Sequence, residues 1–376
     1  MAEPFKHRID AALVRTLATS LVRSWPEFPR ARFVRRARRG LDSLELKARV
    51  RHVADALQES LPPRFDAAVA VLVRALAPAR ADDDLSALVS SARGLAGWEV
   101  WPMTDYVARY GLKHPALALR ALHAMTQRHT AEYALRPLLV EHSALTMETL
   151  SSWVDDASPH VRRLVSEGSR PRLPWGMQLK HLIDDPAPCL PLLERLQDDP
   201  SAYVRRSVAN HLNDVSKDHP EVVVRWLRRH LPDASAQRRA MLRHAARTLI
   251  KQADKRALGA FGLGRALQGA AGLALVPRRA RVGGAVTISA TLASTAALSQ
   301  DLVVDYVVHH VKRDGSTRAK TWKGWRLRLL AGERRALQRE HSLRPVTTRR
   351  DHPGVHRVEL LVNGDVVAAA RFELRP

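Results

Sequence analysis

Two stretches, DDASPHVRRLVSEG (155–168) and DDPSAYVRRSVANH (198–211), align at a spacing of 43 residues. Each carries paired aspartates, then a proline, then a helix that opens on Val-Arg-Arg. A period of this length with this pattern is that of HEAT-type helical hairpins. Such a hairpin cannot bury its apolar face alone, so copies stack into a solenoid with a concave surface. Outward from this pair, residues 1–260 read as helix after helix. Apolar residues recur at helical spacing over 9–24, 43–60, 64–77, 115–128, 145–154, 159–167, 189–197, 203–216, 220–230 and 236–250. Asp or Ser just before a proline marks starts near 158–161, 184–186 and 198–200.

The pattern changes near residue 260. LGAFGLGRALQGAAGLAL is rich in Gly and Ala, and 261–275 reads as a linker. Its glycine spacing only mimics a dinucleotide loop, because no strand precedes it. After it the period drops to two in AVTISATLA, DLVVDYVVHHV, TRAKTWKGWRLRLL, RRALQREHSL, GVHRVELLV and DVVAAARFEL. Asn363-Gly364 between the last two is a strong hairpin signal. The expected fold is mainly α: a HEAT-like helical repeat solenoid over 1–260, followed by an immunoglobulin-like β-sandwich over 276–376. Cys189 is the only cysteine, so that sandwich would lack the usual disulfide.

The chain has 376 residues, 45% of them hydrophobic, which suits a globular protein of more than one domain. Lys plus Arg number 61 against 38 Asp plus Glu, a formal net charge of +23. That excess points to a polyanion, nucleic acid before an acidic membrane. No signal-peptide h-region and no membrane-length apolar run is present, so a cytoplasmic protein is expected; nucleoid association and a monomeric state are expected as well. The segment 301–350 holds 13 Lys/Arg against five acids, either a solvated sheet face or a second contact to phosphates.

Common enzyme signatures, HExxH, Walker loops and GxSxG, are missing, and the 17 histidines are scattered. Three clusters remain. In HTAEYALRPLL (129–139), Glu132 and Arg136 are i, i+4 neighbours that could form an exposed ion pair. In HVRRLVSEGSRPRLPWG (160–176), Arg162 and Arg163 precede a proline-stiffened loop with Arg170, Arg172 and Trp175. Trp175 there could plug a repeat end, or work beside arginines on sugar, base or groove. In YVRRSVANHLNDVSK (203–217), Val204, Val208, Leu212 and Val215 form an apolar stripe. Tyr203, Arg206, Asn210, Asp214 and Lys217 fall opposite and are expected to face outward. Asp214 suits a polyanion poorly, unless it pairs with Arg206 or Lys217. Carboxylates on a DNA-binding face become useful where positive charge develops. Cleaving an N-glycosidic bond creates an oxocarbenium ion, which a fixed carboxylate stabilises while orienting water.

Taken together, GWEVWPMTDYVARYGLKHP (97–115), TAEYALRPLL (130–139), SPHVRRLVSEGSRPRLPWG (158–176) and YVRRSVANHLNDVSKDHP (203–220) resemble the AlkC-type DNA alkylation repair proteins, HEAT-like-repeat DNA glycosylases. The resemblance is strongest over 97–220, and some members of that family also carry a C-terminal immunoglobulin-like domain. It implies excision of 3-methyladenine and 3-methylcytosine from double-stranded DNA containing alkylated bases, with no metal and no cofactor. It implies Glu132 and Asp214 as catalytic carboxylates and Trp175 as the active-site aromatic. Arg163 and Arg170 match positions near the DNA backbone. Arg162, Arg172, Arg206, Asn210 and Lys217 complete the expected DNA-binding set. Tyr133 stands where Phe is common in the family, a conservative departure. The alternative is a non-catalytic, basic helical scaffold that binds DNA or RNA.

Overall fold

The computed structural model describes residues 4–263, 265–345 and 352–376. Arg349 and Arg350 of the basic segment lie outside these. The chain divides into two compact units. The first runs through Asp218 and takes in Ala236–Ala245. Its first half holds helices α1 (Ala11–Ser24), α2 (Arg30–Arg38), α3 (Leu46–Gln58), α4 (Phe65–Arg74), α5 (Val100–Tyr110) and α6 (Pro115–Thr126). Then come α7 (Glu132–Glu141), α8 (Ser143–Trp153), α9 (Pro159–Gly168), α10 (Lys180–Asp184), α11 (Leu190–Leu196) and α12 (Ala202–Val215). α13 (Pro220–His230) belongs to the second unit, and α14 (Ala236–Ala245) returns to the first. Successive contacts α2–α3–α5–α7–α9–α12–α14 make one row, and α1–α4–α6–α8 stack behind it. This is the two-layer HEAT-like solenoid the repeat announced.

The repeat's aspartates and arginines join its copies. Arg162 donates from Nε and Nη2 to both carboxylate oxygens of Asp199, at 2.6 and 3.0 Å. Its Nη1 donates to the carbonyls of Asp156 and Ala157, and Arg205, 43 positions on, donates to those of Asp199 and Pro200. Asp199 also accepts from the Ser201 amide, while Ser201 Oγ caps α12 by accepting from the Tyr203 and Val204 amides. Paired aspartates and the first arginine of Val-Arg-Arg are thus structural, and Arg162 has no free fork for phosphate.

In the first unit, helices α2, α5, α7 and α10 escaped the periodicity reading. Only Phe33 and Ala37 of α2 are buried, too few to show a period. The second unit also starts earlier than the expected linker. α13, α15 (Arg247–Lys251) and α16 (Lys255–Ala260) group with the strands rather than with the solenoid. Lys323 Nζ donates to the Ile250 carbonyl at 2.8 Å, Asn363 Nδ2 donates to that of Arg265, and Lys255 pairs with Asp365.

Eight strands follow: β1 (Gly269–Val276), β2 (Arg279–Arg281), β3 (Ala285–Ser294), β4 (Gln300–Val311), β5 (Thr317–Leu329), β6 (Arg334–Ser342), β7 (Gly354–Val362) and β8 (Asp365–Arg375). They form a three-stranded sheet β1-β3-β6 and a five-stranded sheet β2-β8-β7-β4-β5. Leu275, Val286 and Ile288 of the first pack on Tyr306, Val308, Val358 and Phe372 of the second. β1 corrects the linker expected over 261–275, since it pairs antiparallel with β3 through Leu275↔Ile288. Its Ala/Gly sequence carries little strand propensity, and tertiary pairing overrides it. Asn363 (φ 50) and Gly364 (φ 89) form the two-residue turn between β7 and β8, as the dipeptide predicts. β5 lies at the edge of its sheet, and its cations Arg318, Lys320, Arg326 and Arg328 suit the guarding of an exposed edge.

Candidate active site

α7, α9 and α12 are consecutive in the inner row, and a chain of alternating charges crosses them. Glu132 opens α7 and is 7% exposed. Its Oε2 accepts from Thr130 Oγ1 at 2.8 Å and pairs with Arg163 Nη1 of α9 at 2.8 Å. Its other oxygen, Oε1, has no hydrogen-bond partner among the described residues. Arg163 lies over the Tyr203 ring at 4.7 Å and reaches Glu167 at 3.6 Å. Glu167 accepts from Ser207 Oγ at 2.6 Å and from Arg170 Nη1 at 2.7 Å. Arg170 Nε donates to Asp214 Oδ2 at 2.9 Å, and Lys217 Nζ donates to Oδ1 at 2.8 Å.

Buried charge survives here because each ion faces opposite neighbours. Burial works against the Arg163 guanidinium, yet Glu132, then Tyr203 and Glu167, outweigh it and hold its proton more firmly than usual. Burial likewise opposes ionised Glu167, and Arg163 and Arg170 overcome it, so its carboxyl lies below the ordinary range. His211 of α12 is fully buried, with Nδ1 3.0 Å from the Ser166 carbonyl. Burial pushes its imidazole down from 6.5 to about 4. The folded state therefore keeps it neutral while the unfolded chain takes up the proton first. Its stabilisation is complete above pH 6.5 and declines as pH falls toward 4, by up to about 3 kcal/mol. Urea midpoints are expected to fall over that window, and less steeply in His211→Gln; equal slopes would remove His211 as the cause.

Beside Glu132 stands an aromatic wall. Trp101 stacks on Tyr133 at 5.5 Å and on His129 at 5.9 Å, and Trp98 lies 5.8 Å from Trp101. Phe5 joins Trp98, stacked at 5.9 Å, to Trp175, edge-on at 6.4 Å. Trp175 is 61% exposed with a left-handed φ of 64°, and its carbonyl accepts from Lys47. It does not plug a repeat.

Arg136 holds that loop. It is not the ion-pair partner of Glu132; it is fully buried and donates to the carbonyls of Gly168, Arg170, Pro171 and Met177. At Gly168 a Cβ would meet the Leu135 side chain at 2.4 Å, so α7 and α9 approach closely enough for this reach.

The structure thus brings Glu132, Arg163, Arg170, Asp214 and Lys217 into one network. Asp214 is not on an outward face as expected; it is 1% exposed, because α12 is covered by both α9 and α14. Arg163 and Arg170 hold carboxylates, and Arg172 is paired with Asp218 at 2.7 and 2.8 Å. Arg206 and Lys217 are exposed, and Asn210 Oδ1 lies 3.0 Å from His244 Nε2. Glu167, the centre of the network, was missed. Its spacing, four after Arg163 and three before Arg170, was the available signal.

Residues 123–249 match the family model described as DNA alkylation repair enzyme. Residues 269–376 match the C-terminal Ig-like domain of the uncharacterised protein YhaZ. The YhaZ protein of Bacillus subtilis (strain 168) is 35% identical over 98% of this chain and 99% of its own. A solved structure of Pseudomonas fluorescens alkylpurine DNA glycosylase AlkC, bound to DNA containing an abasic site analog, is 34% identical and superposes with a TM-score of 0.85 over 100% of both chains. The chain belongs to the AlkC-type DNA alkylation repair family. Glu132, Arg163, Glu167, Arg170, Trp175 and Asp214 all lie within the region matched by the DNA alkylation repair model. Among the described residues, no helix is long and apolar enough to cross a membrane.

Proposed function

We propose that this protein is a monofunctional DNA glycosylase that hydrolyses the N-glycosidic bond of 3-methyladenine and 3-methylcytosine in double-stranded DNA. The observation that carries the reading is a pair of carboxylates, Glu132 and Asp214, fixed in a basic setting by buried arginines. A cationic base departs with the bonding electron pair and leaves neutral, while positive charge grows at the deoxyribose C1′. Glu132 Oε1, the unpartnered oxygen, lies next to that charge, orients a water toward C1′ and takes its proton. Asp214 adds a second fixed negative charge and sets Arg170. Negative groups already in place cost no reorganisation as charge develops. The aromatic wall ending at exposed Trp175 offers stacking surface to bases or sugar. Water is the only co-reactant this chemistry needs.

The test is release of methylated bases from duplex DNA by the full chain. Asp214→Asn is expected to slow release by about 10- to 100-fold, less than loss of a group facing the sugar, while DNA binding holds or tightens. If the parent binds DNA and releases nothing, the protein is a scaffold and the carboxylates are structural.

A further inference from the structure

α2, RARFVRRAR, carries five arginines in nine residues, and Arg39 follows it. Elsewhere in the first unit, arginines commonly face carboxylates: Arg64 with Asp66, Arg109 with Asp55, Arg162 with Asp199, Arg172 with Asp218. On α2, among the described residues, only Arg36 does so, with Glu59 at 2.9 Å. Arg30, Arg32, Arg35, Arg38 and Arg39 are exposed and have no ion pair among the described residues. Four of them, with Arg15 of α1, line a cleft of about 730 Å³ between the two helices. Asp42 is the one carboxylate on its wall among the described residues. Such a density of unneutralised guanidinium is costly through mutual repulsion unless an anion is present. Both the phenylalanine and the alanine anchor of the helix are fully buried, so the arginines are displayed on a fixed support.

α2 also extends the inner row, touching α3, which touches α5, which touches α7. Three interhelical steps of about 8–10 Å each separate it from Glu132. That is roughly 25–30 Å, or about eight base pairs at about 3.4 Å per strand step. We propose that the α1–α2 cleft is a second phosphodiester-binding site, which grips the backbone of the same DNA on one flank of the lesion. This rests on the glycosylase reading only in that DNA is the ligand.

The experiment compares the full chain with an Arg30→Gln/Arg35→Gln/Arg38→Gln variant. None of the three residues belongs to the charged network or the aromatic wall. Binding to fluorescein-labelled duplexes that carry one abasic-site analogue, with flanks of varied length, is measured across a salt series. Each lost phosphate contact should lower the slope of log K against log salt by about 0.9, so a fall of about 2–3 is expected. The fall should appear with long duplexes and vanish when fewer than about eight base pairs flank the lesion on either side. Base release at saturating DNA and the thermal midpoint should match the parent. An unchanged slope overturns the proposal and leaves the glycosylase reading standing. An unchanged slope with lost binding to phosphatidylserine vesicles would instead make α2 a membrane contact. A parent with no DNA affinity would sink both readings.

Discussion

Glu132→Gln is expected to slow base release by about 100- to 1000-fold, the range seen when a preorganised electrostatic group is removed from an active site. The substitution is nearly isosteric. The amide oxygen of the introduced side chain can still accept from Thr130, the contact Glu132 makes through Oε2. What disappears is the negative charge and the proton acceptor at Oε1. Arg163 does not become an orphan, because Glu167 remains 3.6 Å away and Tyr203 lies under it at 4.7 Å. The variant should therefore fold, and its thermal midpoint separates a chemical loss from a structural one. DNA affinity should stay level or rise, since a carboxylate beside a polyanion is repulsive. Single-turnover release of 3-methyladenine from methylated duplex, with protein in excess, reads the step directly. A variant that keeps the parental rate would remove Glu132 from the chemistry.

Much of this architecture is legible in one dimension, for specific physical reasons. The 43-residue spacing of 155–168 and 198–211 exposes the solenoid because the same arginine-to-carbonyl bonds recur in each copy. Alternation in β3 is plain because one face of its sheet is buried, whereas the central strand β4 is buried without a break from Leu302 to Val308 and shows as an apolar run. β1 is not legible, since Gly and Ala leave alternation almost without contrast. At the site, residue types were readable and burial was not. A helical wheel assigns one buried stripe to α12, whereas a helix inside a row is covered on two flanks. So Asp214 falls on the polar side of the wheel and yet is nearly inaccessible. Pairing was misread for the same reason. Arg136 follows Glu132 by four, but long-range carbonyls claim its guanidinium, and Arg163 of the next repeat takes Glu132. Local spacing does not contain either partner.

Arg136→Leu should lower stability by about 3–5 kcal/mol, because it leaves several buried carbonyls without their donor. For a unit of this size that is a drop in thermal midpoint on the order of 10 °C. Burial, with Arg170 adding repulsion, pulls the Arg136 guanidinium down to about 10, so it is still charged at neutral pH and its hydrogen bonds are charge-assisted. Its four acceptors span residues 168 to 177, the segment that bears both Arg170 and Trp175. One side chain thereby sets an arginine of the charged network and the exposed aromatic together. Activity should fall further than the melting shift explains when assayed well below the midpoint. Arg136→Lys should recover part of the stability and little of the activity, since an ammonium cannot reach a planar spread of four carbonyls. Trp175 fluorescence offers an independent reading, with Trp175→Phe to isolate its share of the signal: release of the loop should shift its emission before global unfolding. If Arg136→Leu melts with the parent and Trp175 emission is unmoved, the loop is held by its own prolines, and the buried guanidinium is not what positions the aromatic.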